Sequence, residues 1–335
     1  MVAHRLGING FGSIGRRALR IALSDGRLSG GVMINHTQPT ALMAHLLAHD
    51  STYGPYPGTV AAKADALIVD GVEIPVSSER DPARIPWGRH GVGIVLECTG
   101  KFRRRAEAAA HLAAGARLVV ISAPAKDDDL MVIYGVNHSQ FDPARHEVIS
   151  AGSCTTNALV PVLSVLLETF GVARGLLTTV HSFTRDQALV DGSHRDLRRA
   201  RGATQSIIPT STGAAEAVRR VLPELDGLVT GLSLRVPTPA VSIVDLSADL
   251  VRPADAEAVN SAFRDAATGR LAGVLAVEDA PLVSIDFRAN AHSAVVDSAL
   301  TMAVGPMVKV MAWYDNEWGY ATRLIDLAVY LSGRL

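Results

Sequence analysis

Val148-Ile-Ser-Ala-Gly-Ser-Cys154-Thr-Thr-Asn-Ala-Leu-Val-Pro-Val-Leu163 is the stretch on which the reading of the fold turns. Its β-branched start, Val148-Ile149, predicts a buried strand, and the small residues after it a tight turn. Leu159, Val160, Val162, Leu163, Leu166 and Leu167 then recur with a helical period. Strand, turn and helix in that order form the repeating element of an α/β sheet. The turn places Cys154 at the helix N-terminus, among backbone N–H groups that lack helical partners and at the positive end of the dipole. That setting lowers a thiol's pKa and suits a developing oxyanion. His181 ends a second β-type run, Leu176-Leu-Thr-Thr-Val-His181, at its polar end, where an imidazole can serve as general base.

The rest of the composition fits an enzyme with two cores. A chain of 335 residues is too long for one ordinary core and suggests about two domains. With 48% hydrophobic and 19% charged residues it reads as globular rather than disordered. A net charge of −1 gives no reason to expect a nucleic-acid or membrane partner. Cys98 and Cys154 are the two cysteines, which excludes a disulfide framework and a Cys/His metal spacing. Cys98 lies in the apolar run Gly93-Ile-Val-Leu-Glu-Cys98 and reads as structural. Met1-Val-Ala-His-Arg-Leu-Gly7 leads straight into a strand, unlike a signal peptide, and no apolar run reaches membrane-spanning length. The expected location is cytoplasmic.

Near the start, Leu6-Gly-Ile-Asn9 reads as a buried strand and Arg16-Arg-Ala-Leu-Arg-Ile-Ala-Leu23 as a helix ending near Asp25-Gly26. Between them stands Gly10-Phe11-Gly12-Ser-Ile14-Gly15, the G-x-G-x-x-G of a dinucleotide site in its strand–turn–helix context. Gly10 permits the tight turn, Gly12 the approach of a pyrophosphate and Gly15 close helix–strand packing. The next strand, Gly31 to Asn35, ends in Asn35-His36-Thr37, where an NAD-binding unit usually carries a carboxylate for the adenosine ribose. Two readings stand at this position. Either NAD is bound despite a loop substitution, or His36 and Thr37 donate to the 2′-phosphate of NADP.

Downstream, Leu67-Ile-Val-Asp70-Gly71-Val-Glu-Ile-Pro75 predicts a hairpin with an Asp-Gly turn. Parallel texture resumes in strands at Gly93 to Gly100, Leu118 to Ser122, Val132 to Val136 and Val148 to Ser150, with a helix over Arg103 to Ala114. Thr99, Ser122 and Cys154 fall at C-terminal strand ends, where α/β sheets bind ligands, so the sulfur is expected near the cofactor. After the Cys154 helix the strands alternate: Leu176–Phe183, Val229–Val236, Val241–Val251, Leu282–Phe287, Ala294–Val304 and Val308–Tyr314. Asp255 to Ala267 is the clearest helix among them, which predicts an antiparallel sheet with one covered face. A long arginine-rich loop, Arg185 to Thr204, is expected to be functional or an interface. The final helix, Trp318 to Leu331, is expected to cover the first domain.

Several of these stretches together resemble phosphorylating glyceraldehyde-3-phosphate dehydrogenases. They are Asn9-Gly-Phe-Gly-Ser-Ile-Gly-Arg16, Ser153-Cys-Thr-Thr-Asn157, His181-Ser-Phe-Thr184 and Asp196-Leu-Arg-Arg-Ala-Arg201. Ile208-Pro-Thr-Ser-Thr-Gly-Ala-Ala215, Leu234-Arg-Val-Pro-Thr238 and Trp313-Tyr-Asp-Asn-Glu-Trp-Gly-Tyr320 continue the same order over essentially the whole chain. The resemblance implies a Rossmann-type doubly wound parallel sheet over residues 1–153, completed by 318–335. It implies a catalytic domain on a mostly antiparallel sheet over 154–317, with an S-shaped loop at about 185–204.

The implied chemistry begins with Cys154 attacking an aldehyde, assisted by His181, and continues with hydride transfer to NADP or NAD and attack of phosphate on the thioester. By the same resemblance Thr184 and Arg235 serve the substrate phosphate, with Asp186 at that site to orient an arginine. Ser153, Thr155, Thr212, Gly213 and Arg199 serve the attacking phosphate, with Arg199 able to reach either. Asn316 would hold the nicotinamide carboxamide beside Tyr320. Phe11 and Ile14 would lie along the dinucleotide, and Arg80, Thr99 and Ser122 would line its adenosine and ring side. No metal is implied. The substrates would be glyceraldehyde 3-phosphate and inorganic phosphate, and the assembly a homotetramer.

Departures from the family pattern carry further expectations. Gly192-Ser193 stands where many NAD-specific members have Leu-Pro, which frees volume and adds a hydroxyl. With His36-Thr37 it favours NADP or dual use over strict NAD. Ala151-Gly152 replaces a common Asn-Ala before the nucleophile and is expected to loosen that turn, and Ala158 replaces a common second cysteine. Erythrose-4-phosphate dehydrogenase is the rival enzyme on this scaffold, but it lacks the Thr184 and Ser211-Thr-Gly213 that this chain retains. Intact Cys154, His181, Arg235 and Asn316 argue against a catalytically idle regulatory protein.

Overall fold

Apolar runs alternating with helices build the first sheet. The computed structural model describes residues 5–27 and 30–335, so the expected start at Met1 to His4 lies outside the described residues. The strands are β1 (Arg5–Asn9), β2 (Val32–Asn35), β3 (Val60–Ala62), β4 (Ala66–Val69), β5 (Val72–Ser77), β6 (Val92–Glu97), β7 (Leu118–Ile121), β8 (Leu130–Met131) and β9 (Val148–Ser150). They lie in the order β3-β4-β5-β2-β1-β6-β7-β9-β8. All pairs are parallel except those of β4 with β3 and β5, which form the hairpin at Asp70-Gly71. Both turn residues have positive φ (51° and 79°), as an Asp-Gly hairpin turn needs. Leu6, Ile8, Ile34, Val95, Leu96 and Val120 are buried, so this sheet is covered on both faces. Strand order reverses at β1, which pairs with β2 on one side and β6 on the other. Such a reversal opens a crevice beyond the carboxyl ends, here Asn9-Gly10 and Cys98-Thr99.

Helix α1 (Ser13–Asp25) follows β1 and stops at Gly26 in the left-handed region, φ 63°. Helix α2 (Thr40–Ala48) follows β2. The helix expected over Arg103–Ala114 is two short ones, α3 (Arg105–Ala108) and α4 (Ala110–Ala113). The strand expected at Val132–Val136 does not form: β8 ends at Met131, and the Asn137 side chain then accepts from the Ile133 N–H (2.7 Å) and turns the chain.

The second sheet contains β10 (Val172–Ser182), β11 (Ile208–Ser211), β12 (Val229–Val236), β13 (Ser242–Leu250), β14 (Leu275–Glu278), β15 (Ala294–Asp297), β16 (Met302–Val304) and β17 (Met307–Tyr314). Its order is β11-β12-β10-β13-β17-β15-β14, with β16 on β17. Only β10–β12 and β14–β15 are parallel. Along β13, Val244, Leu246, Ala248 and Leu250 are buried while their neighbours are partly open, the period of a sheet covered on one face. The segment expected as a strand at Leu282–Phe287 is instead a short 3-10 turn, Ser284–Phe287. There the Asp286 carboxylate accepts from the Val283 N–H (2.9 Å), so a local side-chain bond wins over β propensity.

Helix α5 (Cys154–Phe170) carries the core of this part. It packs on α6 (Ala214–Val221), α7 (Ala256–Thr268) and strands β10, β13, β15 and β17. Every residue from Thr155 to Leu166 is buried, including Pro161, which removes one bond of the helical ladder. Burial on all faces offsets that loss, since each fully buried Leu or Val contributes about 1.5–3 kcal/mol. Helix α8 (Trp318–Ser332) ends the chain.

The chain forms two compact units. One contains the residues up to Val132, His138–Gly152 and Ala321–Leu335. The other contains Ile133–Asn137 and Ser153–Tyr320. Within the first, Leu324, Ile325, Leu327, Ala328 and Leu331 are buried, and Asp326 pairs with Arg27 at 2.7 Å.

Because Leu163 is fully buried in α5, Leu163→Ala is expected to cost about 2–5 kcal/mol. Urea unfolding followed by circular dichroism would show this as a lower midpoint at an unchanged slope.

Candidate active site

Gly152 takes φ 65°, a left-handed conformation that turns the chain sharply from β9 into α5. The Ala-Gly dipeptide therefore suits the turn rather than merely loosening it. Ser153 caps the helix, its Oγ accepting from the Thr156 N–H at 3.0 Å, and Cys154 is the first helical residue. His181, near the end of β10, presents Nε2 to Cys154 Sγ at 3.4 Å. Its other ring nitrogen, Nδ1, lies 2.7 Å from the Ser182 carbonyl. Arg235 Nη1 also lies 3.2 Å from Nδ1, but the carbonyl is the closer partner and only accepts, so Nδ1 carries the proton and Nε2 faces the sulfur as an acceptor. A tilted edge-on contact with the Tyr314 ring (5.9 Å, 75°) further fixes the imidazole.

Electrostatics make the resting pair neutral. Burial pushes the His181 pKa down to about 3, and the Arg235 cation adds to the effect. Burial also pushes the Cys154 thiol up, against the pull of Arg235, the Thr155 N–H and hydroxyl, and the Cys154 N–H. The helix N-terminus does favour thiolate, as its position in sequence implies, but desolvation outweighs it. Thr155, expected as a phosphate ligand, is buried with its hydroxyl 2.9 Å from Tyr314 Oη, and it serves the sulfur. Tyr314 Oη also bonds Thr179 at 2.9 Å, and burial raises its pKa, so it stays protonated. Cys98 contrasts with Cys154: burial pushes its thiol up to about 12, which suits a structural residue.

A cationic chain extends from His181. Arg235 Nη1 donates to Thr184 Oγ1 (2.9 Å) and to the Ser182 carbonyl (3.3 Å), while its Nε is buried without a partner. The Thr184 hydroxyl donates to Asp186, whose other oxygen pairs with Arg199 Nη1 at 2.6 Å. Burial raises the Asp186 pKa, yet the Thr184 hydroxyl and the two arginines hold it below the ordinary carboxylate value. Asp186 thus stands between Arg199 and the Thr184–Arg235 pair. Arg199 also donates to Thr210 Oγ1 (2.9 Å) and reaches the Ser211 carbonyl (3.5 Å). Beyond Ser211, α6 starts at Gly213 with no side-chain cap, and the Thr212 hydroxyl accepts from the Ala214 N–H (3.2 Å). Arg199 therefore bridges the Arg235–Thr184 end and the Thr212-Gly213 end. Both suit oxyanions.

The carboxamide oxygen of Asn316 accepts from Ser182 Oγ (2.8 Å) and Ser242 Oγ (3.1 Å), which aims its NH2 group elsewhere. Val241, just before Ser242, sits at φ 67°, a strained value for a β-branched residue. It is buried among Ala240, Phe287 and Val295. Tyr320, expected beside Asn316, is buried too.

In the first unit the glycines do what their spacing implies. Gly10 has φ 97°, and a Cβ there would lie 2.8 Å from the Cys98 and Thr99 backbone. A Cβ on Gly15 would lie 2.2 Å from the Gly10 carbonyl, whereas one on Gly12 meets nothing within 4 Å. No side chain caps α1 at Gly12, so the helix start beside Ile14 is open to a pyrophosphate, and these residues fit a dinucleotide. The Phe11 N–H donates to His36 Nδ1 at 3.2 Å, which leaves the ring proton on Nε2. Thr37, Arg80 and Ser193 are exposed.

Two residues expected as ligands act as scaffold. Asn35 is buried and its amide is fully used: Oδ1 accepts from Ser77 Oγ and the Glu79 N–H, and Nδ2 donates to Asn9 Oδ1 and the Glu79 carbonyl. Thr99 spends both its N–H and its hydroxyl on Glu97. The Ser122 hydroxyl donates to the Glu97 carbonyl at 2.9 Å. Sequence reasoning missed Tyr314, Ser182, Ser242 and Glu97. The polar Ser182 beside His181 and the acidic Glu97 inside an apolar run were the available signals.

Comparisons with known proteins agree with this chemistry. A family model described as glyceraldehyde 3-phosphate dehydrogenase, NAD binding domain, matches residues 4–105, and one described as the C-terminal domain of the same enzyme matches residues 153–316. Glyceraldehyde-3-phosphate dehydrogenase of Geobacillus stearothermophilus is 50% identical over 334 residues, 99% of each chain. Glyceraldehyde-3-phosphate dehydrogenase 1 of Bacillus subtilis is 50% identical over 332 residues, again 99% of each. The plasmid-encoded glyceraldehyde-3-phosphate dehydrogenase of Cupriavidus necator is 50% identical over 331 residues, 98% of each.

The Arg235 cation lowers the Cys154 pKa, so Arg235→Gln must raise it and reduce the thiolate fraction at neutral pH. The rate of Cys154 alkylation by iodoacetamide against pH should keep its shape with its midpoint moved upward. A midpoint that moves down would refute this assignment.

Proposed function

The chain belongs to the glyceraldehyde-3-phosphate dehydrogenase family, and on that basis we propose that it oxidises and phosphorylates glyceraldehyde 3-phosphate through a thioester on Cys154, with NADP, or NADP and NAD alike, as acceptor. The observation that carries this reading is the bare Nε2 of His181 at 3.4 Å from Cys154 Sγ. As the thiol attacks the aldehyde carbon, its proton passes to Nε2 and the Cys154 N–H steadies the new oxyanion. The bound nicotinamide supplies the hydride acceptor. His181 returns that proton to the oxyanion, giving the hemithioacetal hydroxyl, and takes it back as hydride leaves and the hemithioacetal becomes a thioester. Phosphate then attacks the acyl carbon and the sulfur leaves as the thiolate, which His181 reprotonates.

Arg235, with its unpartnered Nε, and Thr184 receive the substrate phosphate. Ser153, Thr212 and Gly213 receive the attacking one, and Arg199 serves both. Asn316 offers its NH2 to the carboxamide, held by two serine hydroxyls. Retention of Thr184 and Thr212-Gly213 supports the triose over erythrose 4-phosphate as substrate.

The cofactor preference rests on charge and volume. β2 ends without a carboxylate, and His36 holds its Nε2 proton as a donor suited to a 2′-phosphate. A Cβ on Gly192 would make only ordinary contacts (3.6 and 3.7 Å), so glycine there is not demanded by the backbone and serves as open space beside Ser193. Leu189, Val190 and Leu197 of the same loop are 60%, 74% and 83% exposed, an apolar surface that a second copy would cover in a homotetramer. No helix among the described residues is long and apolar enough to cross a membrane. A catalytic free thiol suits the reducing cytoplasm, where we place the enzyme.

Phosphate-dependent oxidation of glyceraldehyde 3-phosphate should proceed with NADP⁺ at least as efficiently as with NAD⁺, measured as kcat/KM. Placing a carboxylate at the ribose with His36→Asp should shift the NADP/NAD ratio toward NAD by roughly tenfold or more. A strict NAD preference in the unsubstituted enzyme would overturn the cofactor reading. Light scattering should give about four times the 35.3 kDa chain mass, and Leu197→Asp with Val190→Asp should lower it.

A further inference from the structure

Glu97 ends β6 with its side chain fully buried, and donors from Asn9, His111 and Thr99 converge on the carboxylate. Asn9 Nδ2 lies 2.5 Å from Oε2 and His111 Nε2 3.1 Å from the same oxygen. The Thr99 N–H (2.8 Å) and the Thr99 hydroxyl both donate to Oε1. His111, also fully buried, accepts from Trp87 Nε1 at Nδ1 (3.0 Å), so its ring proton sits on Nε2 and faces Glu97. A carboxylate is the side chain that accepts from all of these and presents no donor in return. The thiol chemistry does not use it.

The segments it ties shape the dinucleotide crevice. Asn9 immediately precedes the Gly10 turn, and the Cys98 N–H donates to the Asn9 carbonyl at 2.7 Å. That holds the two turns so close that a Cβ on Gly10 would strike the Thr99 backbone. From Asn9 the network runs on through Asn35 to Ser77 and Glu79. One buried carboxylate thereby joins the carboxyl ends of β1, β2, β5 and β6.

We propose that Glu97 is a positioning residue for the cofactor, fixing the Gly10 turn against the Thr99 turn through Asn9 and Thr99. The inference rests on the dinucleotide reading of this unit. Glu97→Gln keeps shape but turns an N–H2 toward existing donors. By calorimetric titration it should weaken binding of the preferred cofactor roughly tenfold or more, with a matching rise in cofactor KM. The KM for glyceraldehyde 3-phosphate and the rate of Cys154 alkylation in cofactor-free enzyme should stay within about twofold.

Thr99→Val removes one donor to the carboxylate and should weaken the cofactor in the same direction by a smaller factor, so it carries the test if Glu97→Gln does not fold. Trp87→Phe loses the bond on the far side of His111, and should lower Tm while leaving cofactor affinity unchanged. Cofactor affinity unchanged in Glu97→Gln and Thr99→Val would overturn the proposal, as would a Trp87→Phe enzyme weakened as much as Glu97→Gln, which would mean general softening. Failure of the unsubstituted enzyme to bind either NADP or NAD would instead overturn the dinucleotide reading on which the proposal stands.

Discussion

The 2.7 Å contact between His181 Nδ1 and the Ser182 carbonyl fixes the tautomer of the imidazole that faces Cys154. With the proton held there, Nε2 meets Cys154 Sγ as an acceptor, and a thiol kept protonated by burial has a place to send its proton. The supports around this pair serve its alignment. Tyr314 bridges Thr155, on the helix of the nucleophile, and Thr179, on the strand of the base, so one phenol locks both elements at a common height. The all-round burial of α5 makes that alignment stiff, because the helix cannot slide without opening its core.

Around the neutral pair, charge is arranged in series. Arg235, Thr184, Asp186 and Arg199 alternate donor and acceptor, so two guanidinium groups stand close together with a carboxylate between them instead of repelling directly. The same series accounts for a carboxylate standing among these cations. Arg235 keeps a buried N–H unbonded, and desolvation strengthens any interaction such a donor makes relative to water. The first unit solves a related problem differently. It places one buried anion, Glu97, where strand ends must be held together, and leaves the α1 terminus open to a ligand's charge.

Local features of the chain were legible wherever a short-range pattern decides the outcome. The strand–turn–helix at Cys154, the G-x-G-x-x-G turn and the Asp-Gly hairpin each follow from neighbours within a few residues. The misread segments are equally instructive. Val132–Val136 and Leu282–Phe287 have strand-like composition, but backbone turn bonds and the side chains of Asn137 and Asp286, which accept from the Ile133 and Val283 N–H groups, bend them. Position at a helix terminus gave the sign of the local field on Cys154 but not the larger cost of burial. Asn35 and Thr99 stood at ligand-binding strand ends, yet the polar groups of Asn35 were already claimed by β1 and β5 and those of Thr99 by the Glu97 carboxylate.

By itself the sequence determined the family to which the chain belongs and its two-part organisation, and it singled out Cys154 and His181 as candidate nucleophile and base, because these lie in contiguous motifs and in their order. Tertiary structure alone decided which groups are ligands and which are supports. Thr155 and Tyr314 are 159 residues apart, and Ser182 and Asn316 are 134 apart, with nothing in their local pattern to pair them. Hydrogen-bonding capacity is finite and burial is a property of the packed whole. Whether a given hydroxyl, amide or carboxylate remains available to a substrate is therefore settled only when distant strands meet.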